Sequence, residues 1–270
     1  SGNVSISAID IDNGSFDNCG NVNLSASNTT FTCNDIGPNN VTLTVDDGNG
    51  NSSSCIAIVT VIDTIAPTTI CQDINVYLDA FGITTISASD IDGGSTNNCG
   101  NINLSASNTN FTCNDIGPNN VTLTVDDGNG NSSSCTAIVT VIDTIPPTAI
   151  CQDINVYLDA SGNTTISASD IDGGSFDNCA NINLSVSNTN FTCNDIGTNN
   201  VTLTVDDGNG NSSSCIATVT VIDTIPPSAI CQDINVYLIA EQLNVSISAS
   251  DIDGGSFDNC GNVSLSTSNT

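Results

Sequence analysis

Apolar residues alternate with polar ones along most of the chain, in short runs separated by clusters of Gly, Asn, Asp and Ser. Ile74, Val76 and Leu78 alternate with Asn75 and Tyr77, Ile86 and Ala88 with Ser87 and Ser89, Ile102 and Leu104 flank Asn103, and Val121, Leu123 and Val125 alternate with threonines. A period of two marks half-buried β-strands, and no stretch shows the 3.6-residue period of a helix. Asp126 to Asn131, with its Asn129-Gly130 step, reads as a hairpin turn, and Cys135 to Ile142 as a final Thr- and Val-rich strand. About seven short strands of this kind predict an all-β, immunoglobulin-like β-sandwich.

The pattern then repeats. CQDINVYLDA opens at Cys71 and again at Cys151, and its first eight residues recur at Cys231, a period of 80 residues. Between Cys71–Ile150 and Cys151–Ile230 ten of 80 positions differ. A period this long means one small domain copied in tandem, so a function must be something done many times over. The copies divide as 1–63, a partial repeat lacking its first strand; 71–143 and 151–223, two full repeats; and 231–270, the first half of a fourth. Linkers 64–70, 144–150 and 224–230 carry motifs such as Ile145-Pro146-Pro147, which favour an extended, stiff joint. The expectation is an extended rod of beads, cut as a window from a longer protein.

Charge sharpens this picture. The chain has no Lys, Arg or His and 29 acidic residues, all Asp except Glu241, for a net charge of −29. No side-chain salt bridge can form, so each carboxylate must be solvated, hydrogen-bonded or bound to metal. Nothing here neutralises phosphate, which excludes nucleic acid as a partner, and no apolar run is long enough for insertion into a membrane. Enzymatic activity is not expected either. The abundant Ser and Thr have no His or Lys base, and no phosphate-cradling Gly loop with its Lys exists.

Thirteen cysteines accompany this composition. Zinc would need CxxC or His spacings that are absent, so the cysteines read as disulfides and the compartment as oxidising and extracellular. Of the three connectivities open to four cysteines, a local pair Cys99–Cys113 and a first-to-last-strand pair Cys71–Cys135 are favoured. The other copies then give Cys179–Cys193, Cys151–Cys215 and Cys19–Cys33, leaving Cys55, Cys231 and Cys260 to pair outside this segment. Such loops contribute about 3 and 4 kcal/mol in the chain-entropy account, which matters for a domain with so thin a core.

A Cys opening the first strand, the turn Asp126-Asp127-Gly128-Asn129-Gly130-Asn131, a Cys in the last strand and then Val141-Ile142-Asp143-Thr144-Ile145-Pro146-Pro147 resemble hyalin-type (HYR) repeats. More closely, CQDINVYLDASGNTTISASDIDGGSFDNC (151–179) and FTCNDIG (191–197) resemble the long repeat arrays of giant secreted surface proteins of Bacteroidetes, including adhesins of gliding flavobacteria. The resemblance covers the whole chain. It implies an exported, very long cell-surface adhesin or filament.

Two chemistries recur in each repeat. Asp90, Asp92 and Asn97, repeated as Asp170, Asp172 and Asp177, place hard oxygen ligands at alternate loop positions, as calcium requires, and Asp126 with Asp127 and Asp206 with Asp207 add carboxylates at the hairpin turn. Asp143 lies at the linker, and an interdomain site is expected where a turn meets Asp153 or Asp159. Against this stands the plain preference of turns for Asp, Asn and Gly. Thr64, Thr144 and Thr224, each in an Asp-Thr-Ile triplet at a linker, resemble the O-glycosylation acceptor of exported Bacteroidetes proteins.

The functional expectation is therefore the shaft of a long extracellular adhesin or surface filament, with neighbouring repeats as its main partners. One alternative is a repeat-borne module that binds a glycan or an extracellular surface by avidity. Another is a laterally packed filament subunit whose copies are bridged by cations or glycans.

Overall fold

A computed structural model of the chain describes residues 2–238, 240 and 244–268. Ser1, and residues 239, 241–243 and 269–270 of the predicted half-repeat 231–270, lie outside the described residues. The regular structure is all strands and short 3-10 turns. The chain divides into two compact units, Ser1–Leu78 with Ile83–Ile142, and Asp79–Gly82 with Asp143–Thr270.

In the first unit, the first repeat contributes β1 (Val4–Ser5), β2 (Asn23–Ala26), β3 (Thr30–Phe31), β4 (Gly37–Asp46) and β5 (Ser52–Val61). The second contributes β6 (Ile74–Tyr77), β7 (Ile83–Thr85), β8 (Asn103–Ala106), β9 (Asn110–Thr112), β10 (Gly117–Asp126) and β11 (Ser132–Ile142). One sheet of the second repeat has the order β6-β11-β10-β8, and β7 pairs with β9 in the other. The β10–β11 hairpin sets Val121 opposite Ala137 and Leu123 opposite Cys135. The first strand, β6, returns to run parallel to the last, β11, with Val76 opposite Val141. Two facing sheets with this first-to-last pairing make a disulfide-stapled, immunoglobulin-like sandwich.

Alternation decides which residues form the core. Val121, Leu123 and Val125 of β10 and Ala137, Val139 and Val141 of β11 are buried, while the threonines between the β10 positions stay partly exposed. Phe111 of β9 closes the other side. The strand expected around Ile86 and Ala88 ends instead at Thr85, and Ala88–Ile91 is a 3-10 turn. The cause is a capping box: Asp90 Oδ2 accepts from the Ser87 backbone N (2.7 Å) and from Ser87 Oγ (2.8 Å), which offers the backbone an alternative to a sheet ladder. Ile86 and Ile91 are nevertheless both buried.

The second unit repeats the design with β12 (Ile154–Tyr157), β13 (Asn163–Thr165), β14 (Asn183–Val186), β15 (Asn190–Thr192), β16 (Gly197–Asp206) and β17 (Ser212–Ile222). Its sheets are β12-β17-β16-β14 and β13-β15. Leu158, Ile166, Ile171, Phe191, Leu203 and Val219 belong to one contiguous core. In the first repeat the described residues form a three-stranded sheet, β2-β4-β5, in place of the four-stranded sheet of the second and third repeats.

Candidate functional site

Two kinds of disulfide hold the repeats. Cys71–Cys135 and Cys151–Cys215 tie the entry of the first strand to the last strand within one repeat. Cys33–Cys99 and Cys193–Cys260 cross from one repeat to the next. The local pairs Cys19–Cys33, Cys99–Cys113 and Cys179–Cys193 are thereby corrected, as is the outside pairing of Cys260. Cys113 and Cys179 are also in disulfides. Cys19, Cys55 and Cys231 are exposed and form no disulfide among the described residues.

The physical reason for the crossing lies in the loop that carries Cys99. The neighbouring Asn98 donates from Nδ2 to Asp63 Oδ1 of the preceding repeat (3.1 Å), so the loop is held against that repeat's end and Cys99 meets Cys33, with Cα atoms 5.1 Å apart. In the second unit Asn259 makes the same bond to Asp223 Oδ1 (3.2 Å), beside Cys193–Cys260.

A glycine sits under each crossing bond. A Cβ on Gly2 would lie 2.4 Å from the sulfurs of Cys33 and Cys99, and one on Gly162 2.4 Å from Cys193 Sγ. Gly162 also has φ +73°, a left-handed conformation that disfavours any side chain. Gly162→Ala is expected to destabilise the second unit by about 1–3 kcal/mol through overpacking and backbone strain, read as a lower thermal midpoint. An unchanged midpoint would show that the disulfide is not seated on this glycine.

The loop carboxylates singled out from sequence are occupied locally. Asp90 and Asp170 cap their 3-10 turns through Ser87 and Ser167. Asp92 Oδ1 accepts from Ser95 N (2.9 Å) and Oγ (2.5 Å), and Asp172 Oδ1 from Ser175 N (2.9 Å). The serine hydroxyl, before any backbone bond, holds the Asp92 and Asp172 carboxyls below their ordinary range. Asp126 and Asp206 each accept from a turn glycine N–H at 2.8 Å. Asp153 accepts from Thr218 N (2.7 Å), and Asp159 from Ser161 N (2.8 Å) and Asn163 N (3.0 Å).

Asp127 and Asp207 are buried hubs of the hairpin turn. Asp127 Oδ1 accepts from Asn129 N (2.8 Å) and Asn131 N (3.0 Å), and its Oδ2 from Asn131 Nδ2 (2.7 Å). The Asn131 amide is the largest influence holding the Asp127 carboxyl low. Burial pushes Asp207 up, but the Asn211 amide and the turn N–H groups outweigh it. Asn131 and Asn211 then donate to the backbone carbonyls of Asp63 (3.0 Å) and Asp143 (3.2 Å).

Those Asp-Thr-Ile triplets are where unoccupied chemistry concentrates. Asp63 and Asp143 each spend Oδ1 on the N–H of the isoleucine two residues on, at 3.1 and 3.0 Å. The Oδ2 atoms of both are buried without a partner, as are Asn97 Oδ1, Asn98 Oδ1, Asp258 Oδ1 and Asn259 Oδ1. Asp143, Asp177 and Cys179 each bring one candidate ligand atom within 4.8 Å of the others, but Cys179 is oxidised, so two carboxylates remain. Sequence reasoning placed Asn97 and Asp177 among the ligands and missed Asp63, because a strand-end Asp gives no periodic signal of burial. Thr64, Thr144 and Thr224, next to these aspartates, are exposed. Among the described residues no helix is long and apolar enough to cross a membrane.

The sequence matches no protein-family profile and no curated protein. Among solved structures it is similar to three immunoglobulin domains of titin, at 12% identity over 77% of this chain and 84% of that one, with a TM-score of 0.41. It is also similar to extracellular cadherin domains 1–4 of protocadherin gamma B7, at 14% identity over 80% and 71% of the two chains, with a TM-score of 0.32. An endo-fucoidan hydrolase from glycoside hydrolase family 107 aligns at 15% identity and a TM-score of 0.25, over 83% of this chain, which spans 39% of that one.

Proposed function

We propose that this chain is part of the shaft of a long extracellular adhesin or surface filament, built from hyalin-type repeats like those of Bacteroidetes surface proteins. The observation that carries the reading is the disulfide from one repeat to the next, Cys33–Cys99 and again Cys193–Cys260. A bond within a repeat stabilises a fold. A bond between repeats does something else: it limits how neighbouring domains swing, which serves a molecule that must hold its length and direction. Independent binding modules do not require it, since avidity needs only a linker whose length matches the span between sites.

The oxidised cysteines support an extracellular location. The reading is structural, not catalytic, in keeping with a chain that has no Lys, Arg or His to serve as a base. Calcium belongs to the proposal as the cation that offsets part of the −29 charge, bound at the joints between repeats and not in the Asp90 loop.

Electron microscopy of native material tests the shaft. The expected image is an unbranched rod one domain wide with evenly spaced beads that lose their alignment on reduction. Strings that bend freely at every bead while oxidised would overturn the reading, and rods packed side by side would replace it with a laterally bridged filament.

A further inference from the structure

We infer that each repeat joint holds a calcium ion, bound by the aspartate of the Asp-Thr-Ile triplet and by the two residues that precede a crossing-loop cysteine. This assignment rests on the shaft reading for its purpose but on separate atoms for its evidence. Among the described residues seven buried side-chain polar atoms have no hydrogen-bond partner, and six of them fall in this one position set. They are Asp63 Oδ2, Asn97 Oδ1 and Asn98 Oδ1 in the first unit, and Asp143 Oδ2, Asp258 Oδ1 and Asn259 Oδ1 in the second. All six are oxygens able only to accept.

The Asp143 set shows why a hydrogen-bond network does not resolve the shortage. Asp143 is 4% exposed, and its carboxylate and that of Asp177 have oxygens within 4.8 Å of each other. The Asn178 amide faces both. As placed, its Nδ2 donates to Asp143 Oδ1 (3.3 Å); turned over, it donates to Asp177 Oδ1 and Oδ2 (3.2 and 3.1 Å). The amide nitrogen thus faces Asp143 in one orientation and Asp177 in the other, while Asp143 Oδ2 has no hydrogen-bond partner. A buried carboxylate must be paired, and the chain has no Lys, Arg or His to pair it. A water molecule supplies hydrogens but no charge.

The donor set selects the ion. Carboxylate and amide oxygens, with neither imidazole nor thiolate, suit a hard cation, and an irregular site completed by water suits calcium better than magnesium, which demands near-ideal octahedral geometry. A cavity of about 160 Å³ beside Asp63, Asn98 and Cys99 leaves room for water ligands.

The three sets differ in one informative way. The position after which the crossing-loop Asn follows is Asp177 and Asp258 in the second unit but Asn97 in the first. The first set therefore has one carboxylate where the others have two.

The test is calorimetric titration of Ca²⁺ into the full chelator-treated chain at physiological salt, with Mg²⁺ in parallel. Two tighter sites and one weaker site are expected for calcium. Asn97→Asp should tighten the weak site, and Asp177→Asn weaken one tight site, each by about ten-fold, since charge count tunes such sites. Both side chains already occur at this position in the chain, so folding is preserved. Isotherms unmoved by either exchange, or equal binding of Mg²⁺, would overturn the assignment. So would a thermal midpoint identical in calcium and in chelator. A rod that stays straight in chelator separates the two claims, because it removes the need for calcium while leaving the disulfide-braced shaft intact.

Discussion

Replacing Cys151 and Cys215 together by alanine is expected to destabilise the third repeat by about 4 kcal/mol, the loop-closure entropy restored to the unfolded chain. The bond spans 64 residues of sequence. Its loop overlaps the one closed by Cys193–Cys260, so the unfolded chain is already partly constrained. The dependence on loop length is logarithmic, and a shortening well under two-fold changes the result by less than about 0.6 kcal/mol. Domains of this size have only about 5–15 kcal/mol in total, so the loss removes a large share of the margin. Calorimetric unfolding of the full chain should show one transition displaced downward by roughly 15–30 °C, from the usual 4–8 °C per kcal/mol. A displacement of only a few degrees would mean that the sheet hydrogen bonds and core hold the repeat without its staple.

Phe191→Ala should cost about as much by a different route. Phe191 is 1% exposed and belongs to the core with Leu203 and Val219. Truncating a buried Phe typically costs about 3–5 kcal/mol, part lost transfer energy and part the cavity left behind. A small sandwich has little other core to close over the gap. Phe176→Ala is the internal control, since Phe176 is 58% exposed and should change stability by less than about 0.5 kcal/mol. Urea denaturation of both variants settles the comparison: similar losses in the two would mean that the core is not organised around Phe191.

Those two phenylalanines also show what periodicity reveals. Phe191 follows Asn190 in an alternating segment and points inward; Phe176 lies in a Gly- and Ser-rich loop and points to solvent. The same logic makes Val201, Leu203 and Val205 the buried face of β16 and sets the all-β class. It fails at Ser87–Asp90, where a side-chain capping box overrides an otherwise strand-like pattern. It fails again at Cys99. Pairing by proximity favours Cys113, fourteen residues on, because a short loop costs least to close, but loop entropy carries no information about contacts with another repeat. The sequence places Asp143 at the linker, but its burial is hidden for a related reason. Its burial comes from Asn178 and Asn211, which are 35 and 68 residues away, so its own neighbours in sequence mark it only as the end of a strand.

The crossing disulfide also sets the route that tension takes. A pull transmitted through Cys33 reaches Cys99 either along 66 backbone steps or through a single S–S bond. The bond is the shorter path, so residues 34–98 do not set the distance between those two cysteines. About 220 Å of backbone, at some 3.4 Å per residue, is then hidden from the load, and none of it can be drawn out while the bond is intact. The same holds between Cys193 and Cys260. Unlike a chain of simple beads, which lengthens as each domain gives way, this polypeptide behaves between those cysteines as a tether of nearly fixed length.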